Sequence, residues 1–353
     1  MPELSRRPFA WSFAFALMVA SHAVAAQESA ALDALEFDDR PLRSDVVYPD
    51  WFKFSFLNLR EDLSEAVQGG KRGLVVYFGQ ARCPYCRNLM EINFKLPDIA
   101  AYTQKYFDVV AIDILGNESV TDLAGAQMSE REFALRQDTT FTPSLVFYDS
   151  NGMEALRLRG YYPPYRFRAA LEYVAGGHYL LESFRSYLER ADPPPAFDLE
   201  ALHDEDFFQP GPYMLDRSRR AAQRPLLVAF EQGSCHACDV LHGGPLRNPA
   251  VRGALGTLEA VQLDMWADTP VMTPAGSRLT ARAWAEQLGL FYAPTLIFFD
   301  GHGKEIIRVD SVVQFYRLQN VLDYVRSGAY REEPNFQRWR ASQRGSTREG
   351  GPG

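Results

Sequence analysis

The chain has little cysteine: four residues in 353, at Cys83, Cys86, Cys235 and Cys238. They form two C-x-x-C pairs with none left over. One closely spaced pair in each half of so long a chain staples almost nothing, so a small disulfide-held scaffold is excluded. There is no surplus of positive charge. Lys plus Arg number 37 against 45 Asp plus Glu, for a formal charge of −8 and a pI near 5.4, which argues against a phosphate-binding surface and so against a nucleic-acid partner. Long apolar runs are missing too. The longest, Pro8 to Ala20, falls short of the ~20 residues that span a bilayer. No Ser-His-Asp order, P-loop or dinucleotide glycine fingerprint stands in a suitable strand–turn–helix setting, which excludes those chemistries. What remains is 46% hydrophobic and 23% charged, a globular balance with length for two ordinary domains.

The front of the chain reads as an address. Arg6 and Arg7 precede the apolar run, and the small residues Ala23 to Ala26 follow it. A basic stretch, a short apolar stretch and an A-x-A-like end predict an export signal over residues 1–26 that is cleaved. The alternative, a short membrane anchor, is disfavoured by the length of the run. Ser5-Arg6-Arg7-Pro8-Phe9 also resembles the start of a twin-arginine signal, so the export route stays open. The mature protein is expected without stable membrane insertion, in an oxidising compartment, a bacterial periplasm.

The rest of the chain contains one unit twice. Leu74 to Phe78 leads into Cys83-Pro84-Tyr85-Cys86, and Leu226 to Phe230 leads into Cys235-His236-Ala237-Cys238, a shift of 152 residues. Further on the shift is 151: Asp113 matches Asp264, Thr142-Pro143 matches Ala293-Pro294, Gly152 matches Gly303, and Tyr173-Val174 matches Tyr324-Val325. Each copy reads as buried strand, helix, buried strand, helix, then a strand hairpin and a closing helix. Ser129-Glu130-Arg131-Glu132 is a capping-box pattern, and Asn151-Gly152 a hairpin turn. Strands joined by helices and ending in a hairpin predict an α/β fold with a mixed central sheet flanked by helices. The expected division is a first domain over 45–190, a Pro-rich spacer over 191–212, a second domain over 213–333 and a polar, fraying tail over 334–353.

The chemistry is expected at the two C-x-x-C pairs. Each follows a buried strand and opens a helix, where free N–H groups and the macrodipole favour a thiolate. Arg82 and Arg87 flank the first pair, and Pro84 fits a first helical position. Cys83 and Cys235 are the expected attacking thiols; Cys86 and Cys238, a turn later, are the expected resolving thiols. Pro143 and Pro294 stand before strands at matching distances from the cysteines. The X–Pro bond is the one peptide bond where cis is cheap, and a cis turn there would present the backbone of Thr142 and Ala293 to an extended substrate. Substrate is therefore expected at Thr142, Pro143, Ala293, Pro294, Pro84 and Tyr85, with no bound cofactor.

Strand, C-x-x-C on a helix, Thr-Pro or Ala-Pro before a hairpin, then a closing helix resembles the thioredoxin fold, in both halves. YFGQARCPYC, FTPSLVFYDSNG and RLRGYYPP are similar to periplasmic thioredoxin-related proteins of the SoxW type. The resemblance implies two tandem thioredoxin-like domains and thiol–disulfide exchange with a protein partner. It implies reduction of that partner, with electrons arriving from a membrane thiol donor. It also implies a buried carboxylate six residues before each first cysteine, where this chain has Tyr77 and Ala229. The proton acceptor for the resolving thiol is left unassigned, with Glu231 a conceivable substitute. Two rivals stand beside this reading. One is copper binding by Cys235, His236, Cys238 and His242, since thiolate and imidazole suit Cu(I). The other is a scaffold that keeps the fold without turnover.

Overall fold

The computed structural model describes residues 35–191 and 201–349. The expected export signal over 1–26 and the three prolines at 193–195 lie outside them. The first half runs α1 (Leu59–Gln68), β1 (Gly73–Gly79), α2 (Pro84–Asn88), a π-helical turn at Leu89–Asn93, α3 (Pro97–Tyr106), β2 (Phe107–Asp113), a small hairpin β3 (Ser119–Thr121) and β4 (Gln127–Ser129), α4 (Glu130–Arg136), β5 (Ser144–Asp149), β6 (Glu154–Arg159), α5 (Pro164–Ala175) and α6 (Phe184–Ala191). The second runs β7 (Tyr213–Met214), β8 (Leu226–Glu231), α7 (His236–Gly243), α8 (Pro249–Leu255), β9 (Glu259–Asp264), β10 (Pro270–Met272), β11 (Arg278–Thr280), α9 (Ala281–Gln287), β12 (Thr295–Phe299), β13 (Glu305–Val309), α10 (Phe315–Ser327) and α11 (Phe336–Glu349).

The two halves build the same sheet, in the orders β2-β1-β5-β6 and β9-β8-β12-β13. In each, the strand that feeds the cysteines is central, parallel to one neighbour and antiparallel to the other. A strand covered on both faces has to be apolar throughout, and every residue of GLVVYFG and LLVAFE is buried. The period of two then sorts the side chains. Val75 and Tyr77 join the core under α2, α3 and α5, while Leu74, Val76 and Phe78 join the core under α1 and α4. Leu227 and Ala229 face α7, α8 and α10; Leu226, Val228 and Phe230 face α9. Each such aliphatic side chain contributes about 1.5–3 kcal/mol by leaving water.

Three sequence expectations need correction. The helix expected to open at the first cysteine pair is broken by the π-helical turn. The polar tail over 334–353 begins as α11, because Phe336 and Trp339, three residues apart, lie against Tyr324 with ring centroids 5.3 and 5.1 Å away. The described end of the 191–212 spacer is docked rather than free. Phe207 and Phe208 pack on the second core, and Gln209 N–H donates to the Ala260 carbonyl at 2.8 Å.

Candidate dithiol sites

Both cysteine pairs sit where a buried strand hands the chain to a helix. β1 ends at Gly79, and Cys83 becomes the N-cap of α2 with extended backbone, its Sγ accepting the Cys86 N–H at 3.0 Å. Pro84 takes the first helical position, where no N–H is needed. β8 ends at Glu231, and Cys235 is the N-cap of α7, its Sγ accepting the Cys238 N–H at 3.0 Å. Each pair is joined in a disulfide with Cα atoms 5.1 Å apart. A sulfur at an N-cap faces unsatisfied N–H groups and the positive end of the helix, which stabilise it as the thiolate once the bond is reduced.

The Thr142–Pro143 and Ala293–Pro294 bonds are cis. In the first half this brings Thr142 to the sulfur: its carbonyl oxygen is 3.6 Å from Cys83 Sγ and its hydroxyl donates to the same atom at 3.4 Å. β5 and β12 start directly after, with Ser144 registered on Phe78 and Thr295 on Phe230. The expected cysteines and proline turns therefore meet in the first half, and the second repeats the backbone that carries them. Asp113 and Asp264, which end the paired strands β2 and β9, cap turns instead: their carboxylates accept the N–H of Leu115 and Trp266 at 2.9 and 2.8 Å.

The two sites differ in what surrounds them. Cys83, Pro84, Tyr85 and Cys86 are all buried. Tyr85, expected to meet substrate, is 3% exposed and lies under the Arg317 guanidinium, 3.3 Å from its ring centroid. Its hydroxyl donates to Asp39 at 2.8 Å and accepts the Gln314 N–H at 2.9 Å. The Thr142 carbonyl, expected to meet a substrate backbone, accepts Arg317 Nη2 at 2.8 Å. In the second motif the cysteines are buried but His236 is exposed and Ala237 half-exposed.

The proton acceptors differ as well. Tyr77 is fully buried and burial pushes its phenol well above its ordinary value, so it stays protonated and cannot act as a base. In the second half Glu231 points from the same strand face as Ala229 and is wholly buried. Its carboxylate accepts Gln262 Nε2 at 2.9 Å and lies 3.0 and 3.1 Å from His242 Nε2. His242 Nδ1 is 3.2 Å from Glu205, and the His203 ring stacks on it at 4.2 Å. Burial alone would lower the His242 pKa; the hydrogen bonds and charge of Glu231 and Glu205 outweigh it and hold the pKa above its ordinary value. A buried carboxylate–imidazole pair thus joins the end of β8 to α7, with His242 one turn beyond Cys238.

That pairing also corrects the copper expectation. Both ring nitrogens of His242 are engaged by carboxylates, and His236 Nδ1 lies 3.8 Å from Asp239. Cys235, His236, Cys238 and His242 do not converge, and among the described residues no His, Cys, Asp and Glu cluster could hold a metal. Sequence reasoning missed Asp39, Gln314 and Arg317 at the first site, because they come from the leading segment and the opposite half.

The thioredoxin-like domain family matches residues 59–175 and again 216–326, nearly two thirds of the chain. The chain belongs to the thioredoxin-like domain family. It carries that domain twice, with a C-x-x-C pair in each copy. Among solved structures, a thioredoxin-fold protein from Helicobacter pylori is 22% identical, over 40% of this chain and 91% of that one, with a TM-score of 0.33. A thioredoxin from Thermus thermophilus is 25% identical, over 37% and 87%, with a TM-score of 0.27. The NTD_N/C domain of the alkylhydroperoxide reductase AhpF from Enterococcus faecalis is 14% identical, over 74% and 97%, with a TM-score of 0.24. No curated protein matches the chain. Thioredoxin-like domains with C-x-x-C pairs at disulfide distance support thiol–disulfide oxidoreductase chemistry.

Proposed function

We propose that the protein is an exported, periplasmic thiol–disulfide oxidoreductase that reduces a disulfide of a protein partner and is recharged by a membrane thiol donor. The observation that carries the reading is the N-cap sulfur beside the turn that precedes a strand, with Cys83 Sγ 3.6 Å from the Thr142 carbonyl. A reduced pair works as follows. The Cys83 or Cys235 thiolate attacks one sulfur of the partner, the partner's S–S bond breaks, and a mixed disulfide forms. Cys86 or Cys238, as thiolate, then attacks that mixed bond and releases the partner as a dithiol. Two electrons have moved to the partner, and the pair is left bonded, as here. The donor returns two electrons by the same exchange in reverse.

The test is to measure each pair alone, with the other pair replaced by serine, for reduction potential and for reduction of insulin. A potential near about −270 mV supports reduction, and one near about −120 mV would make that half an oxidant. Replacing both pairs should abolish insulin reduction. A chain whose cellular function survives that replacement would be a scaffold.

A further inference from the structure

The two halves pack about an internal two-fold. Residues 151 apart meet each other: the Val312 N–H donates to the Tyr161 carbonyl at 3.1 Å, and Ser311 lies against Gly160. The last helix of each half packs on its own core and also reaches across to the other half. Phe184 of α6 packs on Phe291 at 5.0 Å, and Phe336 of α11 packs on Phe141 at 5.4 Å. Arg185 donates to the Leu290 carbonyl and Gln337 to the Thr140 carbonyl, both at 2.7 Å. Each half thus holds the loop that precedes the other half's cis proline.

At the first site this embrace closes the approach to the sulfur. The chain from Ser311 to Arg317 crosses it, with Gln314 and Arg317 on Tyr85 and the Arg317 guanidinium on the Thr142 carbonyl. Asp39 fastens the start of α10 over the site, accepting the N–H of Tyr316 and Arg317 at 2.8 and 2.7 Å. The cavity left beside Cys83 measures about 30 Å³, enough for a water and not for a peptide. The second site carries the equivalent stretch, residues 160–166, but among the described residues not the latch: Arg166, the counterpart of Arg317, is half-buried, its charge acts on Tyr292, and its Nε has no hydrogen-bond partner. Ala237 stands where Tyr85 does and offers no ring to a cation, and His236 beside Cys235 is exposed. The clasp is also incompletely satisfied: Arg317 Nη1 is buried without a hydrogen-bond partner, a cost that favours release of the guanidinium to water.

We propose that residues 311–317 of the second half form a gate over the first dithiol, latched by Arg317 and Asp39, so that a protein disulfide reaches Cys83 only when that latch opens, whereas Cys235 lies under a stretch without the latch. The gate regulates the exchange reading given above and rests on it for its use, but not for its test.

The test follows alkylation of the fully reduced full-length chain by iodoacetamide, with each cysteine resolved by peptide mass. In the wild type Cys83 should react about tenfold more slowly than Cys235, as expected of a group exposed only by local opening. R317A and, separately, D39A should each speed Cys83 about tenfold and leave Cys235 within about twofold. Loss of a neighbouring guanidinium would by itself raise the Cys83 thiol pKa and slow the reaction, so acceleration reports opening. If R317A does not fold, D39A and the wild-type ratio decide. Equal wild-type rates, or no acceleration in a folded variant, overturn the gate. If Cys83 is released as described yet no reduced variant reduces insulin, the gate stands and the exchange reading fails.

Discussion

The place of Glu231 and His242 in the second half is held in the first by Gly79 and Met90, at the same offset of 152 residues. The backbone around them is the same: central strand, N-cap cysteine, cis turn. The filling differs, and with it the helix, since Met90 lies in the π-helical turn and His242 in α7. A Cβ on Gly79 would run into the Tyr77 ring, so in the first half a protonated phenol occupies the ground that a buried carboxylate–imidazole pair takes in the second. The fold can present a dithiol over either filling. What the filling changes is whether the interior holds a mobile proton and how its stability depends on pH.

The largest effect is expected from breaking the second filling. Glu231→Ala leaves the His242 cation buried against Glu205 alone and should destabilise the second half by about 3–5 kcal/mol. Glu231→Leu combined with His242→Met, which makes the site apolar like the first, should recover most of that loss. Urea unfolding of the chain with the disulfides intact checks both. The sign with pH is fixed by the raised His242 pKa. The pair's contribution is fully present below the ordinary histidine value and is lost as pH rises through the raised one. The wild type should therefore lose its advantage over the double variant in alkaline buffer. An advantage that grows with pH would show that the pair is not charged.

Much of this was legible in the sequence, for physical reasons that name its limits. Continuous apolar runs such as Leu74–Phe78 betray central strands because both faces are covered. The cysteines and prolines follow because their spacing is fixed by those strands, and the duplication checks each against its copy. Ser129 and Glu132 announce their capping box locally, and the structure contains it. What was not legible comes from distance. Arg317 meets Thr142 across 175 residues, and no local pattern marks an arginine on an amphipathic helix as the one that crosses a domain boundary. Asp39 lies in the leading segment, before the matched repeat begins at Leu74. Phe207 and Phe208 were read as spacer because prolines nearby dominate its composition.

A smaller effect is expected where the two-fold joins unlike charges. Arg159 and Asp310 are equivalent positions that influence each other across the boundary, and Arg308, Glu305 and Tyr162 also face Asp310. Burial pushes the Asp310 carboxyl up to about 6, against the opposing charges of Arg159 and Arg308. A raised carboxyl contributes stability that is present below its ordinary value and is lost as pH rises through the raised one. Asp310→Asn should accordingly stabilise the chain by about 1–2 kcal/mol at pH 7 and have no effect at pH 4. Thermal unfolding at the two pH values measures this. A stabilisation equal at both would assign the effect to packing rather than to charge.

The smallest effect compares the helices that follow the small hairpins, α4 and α9. Ser129 and Thr280 are equivalent N-caps, accepting the N–H of Glu132 and Ala283 at 3.3 and 3.2 Å. Only the first closes a box, because Glu132 reaches back to the Ser129 N–H at 2.9 Å, while its equivalent Ala283 has nothing to reach with. The Glu132 carboxyl is held below its ordinary value by those bonds to Ser129. Ser129→Ala should cost about 1 kcal/mol, Thr280→Ala about half of that, and Ala283→Glu should narrow the gap by completing the second box. Hydrogen exchange at the first turn of each helix resolves the two caps separately. Equal protection losses in Ser129→Ala and Thr280→Ala would mean that the cap oxygen alone sets the stability of these helix starts, and that the reciprocal arm of the box adds nothing at an exposed site.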